Sequence, residues 1–185
     1  MAQVLEAHPG VATVQLPDRA VRPEVVRELV KACRTGSSLK TLYASMSSPI
    51  PHERVISPHT LIYTGFRWHV RAWCHKRQGY RDFLLSRIDG TPKPCDDSAP
   101  SPDNDSLWHE QITLTLIPNL LLNDAQKGLV ERDFARTEGC LQLSVRKALA
   151  HYTLQRYQAA ITEAEALRVS EHPLQLLPAD RSKLE

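Results

Sequence analysis

The chemistry this chain is best equipped for is the binding of anions. Residues 54–87 hold seven basic side chains, Arg54, Arg67, Arg71, Lys76, Arg77, Arg81 and Arg87. One acidic residue, Asp82, opposes them, for a local net charge of +6. The remainder carries 16 basic and 20 acidic residues, so an overall charge of +2 conceals a strongly positive segment in a mildly acidic frame. His59, His69 and His75 fall in the same window. Charge concentrated in this way informs on partners rather than on fold.

Spacing gives that charge a direction. Successive side chains of a strand face opposite ways. From residue 67, one face holds Arg67, His69, Arg71, Trp73, His75 and Arg77, and the other Trp68, Val70, Ala72, Cys74 and Lys76. The second face is expected to pack on a core and the first to lie open to solvent. A guanidinium fork grips phosphate oxygens through two hydrogen bonds. A tryptophan ring stacks on a base, worth about 1–3 kcal/mol per base in single-strand binders. Histidine adds donors whose charge changes near neutral pH. The pattern suits a nucleic acid or a nucleotide. A solvated polar face is the plainer account of such alternation; the near absence of acidic residues counts against it.

Neighbouring residues are less decisive. The hydroxyls of Tyr43, Ser45, Ser47 and Ser48 suit either a phosphate or local turns. Arg81 shares a period-two face with Phe83, Leu85 and Arg87, while Tyr80, Asp82 and Leu84 share the other. Both faces are mixed, so the period does not place Arg81. Catalysis has little support, because the basic segment has one carboxylate and no metal-ligand cluster. Ser45 and His59 would need a third group to orient the histidine. No catalytic residue, metal or cofactor is expected. The cysteines, Cys33, Cys74, Cys95 and Cys140, form no CxxC pair and are expected to be reduced packing residues. The first residues do not form a signal peptide, and no apolar run approaches a membrane span, so the expected location is cytoplasmic.

The elements that must position these groups follow from periodicity and punctuation. Residues 1–21 read as a linker or edge segment. A helix is expected over 23–34, with Pro23 at its first position and Val25, Leu29 and Cys33 on one face. Strands follow at 39–46, 55–64, 67–76 and 80–88, with turns at Gly65 and Gly79. Pro58 marks an edge or a bulge, since it has no N–H for the ladder. Residues 89–105, with four prolines and five acidic residues, read as a loop and the best domain boundary. Beyond it the order is strand 111–117, helix 123–134 capped by Asn123, strand 141–145 and helix 147–158. The tail, 161–185, is amphipathic and then polar.

These residues also carry a family resemblance. YASMSSP and ERVISPHTLIYTGFRWHVRAWCHKRQGYRDFLLSRIDG resemble the WYL domain of bacterial transcription regulators, most closely the branch that controls phage-defence operons. LTLIPN and LQLSVRKALAHYTL resemble the C-terminal extension that accompanies many such domains. The chain departs from the pattern at its name: Trp68-His69-Val70 stands where the family has Trp-Tyr-Leu. The resemblance implies an α+β chain: a small Sm-like, SH3-type barrel with an N-terminal helix (22–90), a Pro/Asp-rich linker (91–108) and a small βαβα domain (109–160). It implies ligand sensing, a homodimer, and DNA binding only through a winged-helix domain not present in this chain. The matched ligand-site positions are Tyr43, Ser45, Ser47, His59, His69, Arg71 and Arg81, which join Trp73 from the alternation; Arg54, Arg67, Arg77 and Arg87 form a secondary basic face. The alternative is a protein-interaction module whose basic face meets an acidic partner.

Overall fold

In the computed structural model of the protein, residues 21–134 and 139–185 are described. The segment expected at 1–21 lies outside them apart from Val21. The chain forms two compact units, Met1–Ala99 and Pro100–Glu185.

The first unit begins with helix α1 (Pro23–Thr35). Pro23 supplies the preset φ of a first helical residue, and Gly36 ends the helix in the left-handed region, its N–H bonded to Ala32 O. Val25, Leu29 and Ala32, on one face, are buried against a sheet of five strands. These are β1 (Ser38–Ser45), β2 (Ser48–Tyr63), β3 (Trp68–Cys74), β4 (Gly79–Leu84) and β5 (Ile88–Cys95). Their order is β4-β3-β2-β1-β5, every pair antiparallel. Leu29 and Ile56 are fully buried where α1 meets the sheet. Truncating such a leucine to alanine costs about 2–5 kcal/mol.

Two expectations change. The sheet is open, with β4 and β5 as its edges, and is not a closed barrel. Residues 89–95, expected within a loop, belong to β5. Pro92 and Pro94 are tolerated there because an edge strand leaves one side of its ladder unused. Pro58, expected at an edge or a bulge, lies in β2 past the stretch paired with β1, and pairing with β3 shifts register between Pro58 and Thr60, at His59.

The second unit contains α2 (Ser106–His109), β6 (Gln111–Pro118), α3 (Asp124–Asp133), β7 (Leu141–Arg146), α4 (Ala150–Arg156), β8 (Ala159–Ala160), α5 (Glu163–Ala166) and β9 (Leu174–Leu176). Asn123 caps α3 in a reciprocal capping box with Gln126. The sheet order is β7-β6-β9-β8, so the expected βαβα unit gains two strands from residues beyond its second helix. The presumed tail is core: Leu174 and Leu176 are buried and Leu184 packs against the same cluster. A three-residue strand carries too short a period to be recognised beforehand.

Among the described residues no helix is long and apolar enough to cross a membrane. No group of three or more His, Cys, Asp or Glu among them could hold a metal ion. Burial pushes the Cys33 thiol up to about 11, and Cys74 is buried, as suits packing cysteines.

Candidate functional site

Strand β3 is where sequence and structure are best compared. Val70, Ala72 and Cys74 are buried in the α1 core, as alternation requires. The opposite face is not the open row expected. His69 is 7% exposed and Arg71 4%. Register explains their cover. His69 lies between Ile62 of β2 and Leu84 of β4, both buried, and Arg71 between Thr60 and Asp82. Arg71 Nη1 donates to Asp82 Oδ1 at 3.2 Å. The one acidic residue of the segment is thus committed to one of its arginines. Burial lowers the pKa of His69; the Asp82 carboxylate opposes that shift and the positive charge of Arg67 adds to it.

Around this pair the structure gathers a polar and aromatic cluster. Trp73 and Tyr80 are cross-strand partners, with ring centroids 5.1 Å apart in an edge arrangement. His59, displaced by the bulge, meets Tyr80 edge-on at 5.8 Å, and its Nδ1 lies 2.9 Å from Thr60 Oγ1. His59, His69, Arg71 and Trp73 therefore come together on one face, with Thr60, Tyr80 and Asp82 as members that sequence reasoning missed. Tyr80 and Asp82 were legible as one period-two face; what was missing was the register that aligns that face with Arg71.

The remaining assignments separate from this cluster. Arg81 pairs with Ala72, so it sits on the α1 side of the sheet, at an exposed rim. Cross-strand neighbours share a face, and Ala72 fixes which one. Tyr43 is buried in the core, edge-on to Phe83 at 5.1 Å, and its hydroxyl accepts the Leu84 N–H at 3.2 Å. Ser45 and Ser47 lie 3.1 Å apart, oxygen to oxygen, at the β1–β2 turn, the local alternative for these hydroxyls. Arg54 pairs with Thr41, two residues along from Ile56, so it too faces the α1 side; its Nε and Nη1 are buried and make no hydrogen bond. Arg67 and Arg87 are half-buried, and Arg77 is exposed.

His75 has a separate role. Its Nε2 lies 2.7 Å from Ser57 Oγ, which lies 2.6 Å from Ser38 Oγ, which in turn donates to the Asp97 carbonyl. This polar relay ties the end of the basic strand to the residues that leave the sheet.

Trp68 departs most from expectation. It occupies the face assigned to the core yet is 44% exposed, because it opens β3 at the β2–β3 turn, where that face is left uncovered.

Comparison with known proteins matches both units. Residues 24–91 match the WYL domain, and residues 111–184 match the BrxR transcriptional regulator, C-terminal dimerization domain. A DNA-binding transcriptional repressor CapW of Stenotrophomonas maltophilia is 36% identical over 167 residues, 90% of this chain and 54% of the relative. Its namesake in Escherichia coli (strain KTE188) is 39% identical over 161 residues, 87% of this chain and 53% of the relative. One from Pseudomonas aeruginosa is 35% identical over 156 residues, 84% and 51%. The chain spans about half the length of these curated relatives.

Proposed function

We propose that the chain, whose residues 24–91 match the WYL domain and 111–184 the BrxR C-terminal dimerization domain, is the ligand-sensing and dimerisation region of a WYL-family transcriptional regulator. In this reading the first unit is an Sm-like barrel left open between β4 and β5. DNA is engaged by a winged-helix domain outside this chain, as the named activity of the relatives suggests. The effector is a nucleotide or nucleic acid. It docks on the sheet face of His59, Arg71 and Trp73, with phosphates drawn by Arg67 and Arg77 at its margin.

The observation that carries this reading is the convergence of His59, His69, Arg71 and Trp73 on one face around the Arg71–Asp82 pair. An anionic ligand on this face competes with Asp82 for Arg71, which gives binding a structural consequence. Regulation requires that the ligand prefer one geometry of the dimer to the other.

The test is titration of the chain with short single-stranded oligonucleotides, mononucleotides and cyclic dinucleotides at two salt concentrations. Affinity should fall with salt, and replacing Arg67 and Arg77 by Gln should shallow the slope. Salt-independent affinity, or none, rules the reading out.

A further inference from the structure

The polar relay that begins at His75 runs in a single sense. His75 Nε2 lies 2.7 Å from Ser57 Oγ, which lies 2.6 Å from Ser38 Oγ. The Ser38 hydroxyl donates to the carbonyl of Asp97, a group that can only accept. A hydroxyl has one proton to give. The Ser38 proton goes to Asp97, so Ser57 must donate to Ser38. The Ser57 proton is then committed as well, so His75 Nε2 must carry a proton and donate to Ser57. Counting donors thus points every bond from β3 towards the segment that leaves the sheet. The sense is the same whether His75 carries one proton or two, which sets the relay apart from a pH switch.

The relay starts on the candidate face. Ser57 is the cross-strand partner of Trp73, and His75 follows Trp73 by two residues, so all three share that face. Ser38 alternates with the core residue Leu39 and is itself buried. The backbone of His75 is fixed: its N–H donates to Val55 O at 3.1 Å, and its carbonyl accepts from Gln78 Nε2 at 2.7 Å. The half-buried ring is the part left to move. At the far end Asp97 is exposed, beyond the last residue of β5 and two residues before the first unit ends at Ala99. A second group also holds it. Burial raises the pKa of the Cys95 thiol, and a side-chain hydrogen bond to Asp97 adds to the shift. Two side chains of the sheet therefore fasten the segment by which the chain leaves the first unit.

We propose that His75, Ser57 and Ser38 form a one-way hydrogen-bonded latch on residues 96–99, and that an occupant of the candidate face opens it by taking the Nε2–H of His75 as its own donor. This rests on the reading of that face as a ligand site and adds the route by which occupancy is passed on. An acceptor on the ligand removes the first donor of the relay. Ser57 then loses the bond that orients its hydroxyl, and the Ser38–Asp97 bond loses the polarisation that a chain of donors supplies. The ligand favours the open latch because it is bonded to His75 in that state alone. Such a differential contact is what any ligand-driven shift requires.

The test is hydrogen exchange of the peptide covering residues 96–101 in the whole chain, read by mass spectrometry, with a thymidylate dodecamer as the probe ligand. Ser57→Ala and His75→Phe, at positions that make no bond to Asp97, should each raise exchange there by about two- to tenfold, the effect of one hydrogen bond. His75→Gln, whose amide can donate to Ser57, should stay near wild type. The dodecamer should raise exchange in the wild-type chain by a similar factor and leave His75→Phe, already open, unchanged. Should Ser57→Ala melt early, the contrast between His75→Phe and His75→Gln decides, because that side chain stands at the outer end of the relay. Equal exchange at 96–101 in wild type, Ser57→Ala and His75→Phe overturns the latch. A dodecamer that binds without changing exchange overturns its opening by a ligand and leaves the reading of the face intact. A wild-type chain that does not bind the dodecamer overturns the reading of the face, and ligand-controlled release with it.

Discussion

Arg71 and Asp82 form an ion pair across β3 and β4 at 3.2 Å, with only 5% and 13% of their side chains exposed. A charge this well buried is tolerated because it is balanced, and removing one partner leaves the other uncompensated. Asp82→Asn should therefore destabilise the first unit by about 3–5 kcal/mol in urea unfolding. It should also release Arg71 and tighten binding of an anionic ligand. Lower stability combined with higher affinity separates a competing counter-ion from a purely structural pair. Unchanged affinity would show that ligands do not reach Arg71.

His69 makes stability depend on pH in a definite direction. Burial holds its pKa below the ordinary 6.5; Asp82 opposes the shift and Arg67 reinforces it. The unfolded chain therefore takes up the proton more readily than the folded one. Its contribution to stability is complete above about pH 6.5 and is lost as acidification proceeds towards the folded value. The Tm should fall between about pH 7.5 and 5.5, and His69→Gln should flatten that fall. Identical profiles for both chains would exclude His69 as the source.

Asn119 is fully buried in the second unit. Its Nδ2 donates to Ala166 O at 2.9 Å and to His172 O at 3.0 Å, and its Oδ1 accepts from Leu121 N at 3.0 Å. One side chain thus joins the end of β6 to the segment that leads into β9. Asn119→Ala should cost on the order of 3 kcal/mol, because three backbone groups lose their partner. Thermal unfolding followed in the second unit provides the measurement.

Dimerisation through the second unit has a physical candidate in two leucines beside and within α3: Leu121 is 59% exposed and Leu129 54%. They belong to the segment matched to a dimerization domain, and neither is needed for the core. Replacing both with Glu should convert a dimer to a monomer in light scattering while far-ultraviolet dichroism stays unchanged. A dimer that survives the change uses another surface.

Much of the molecule was legible in the sequence. Pro23 and the spacing of Val25 and Leu29 located α1, Asn123 located the start of α3, and alternation in β3 identified Val70, Ala72 and Cys74 as core. Motif resemblance named the family to which both units match. These features are local: a cap, a helical stripe and a period of two are written in neighbouring residues.

Only the tertiary structure decided what each face meets. Alternation put His69 and Arg71 together, but register with Ile62, Leu84 and Asp82 buried them. The same register carried Arg81 to the opposite side and left Trp68 open at the hairpin end. Tyr43 became a core residue because Phe83 and the Leu84 N–H arrive from forty residues away. The sequence by itself determined where the charge and the core-forming residues lie along the chain. Which charges are neutralised, and which aromatic rings remain free, was decided by pairings between distant strands, because cover depends on the strand alongside and period on the strand itself.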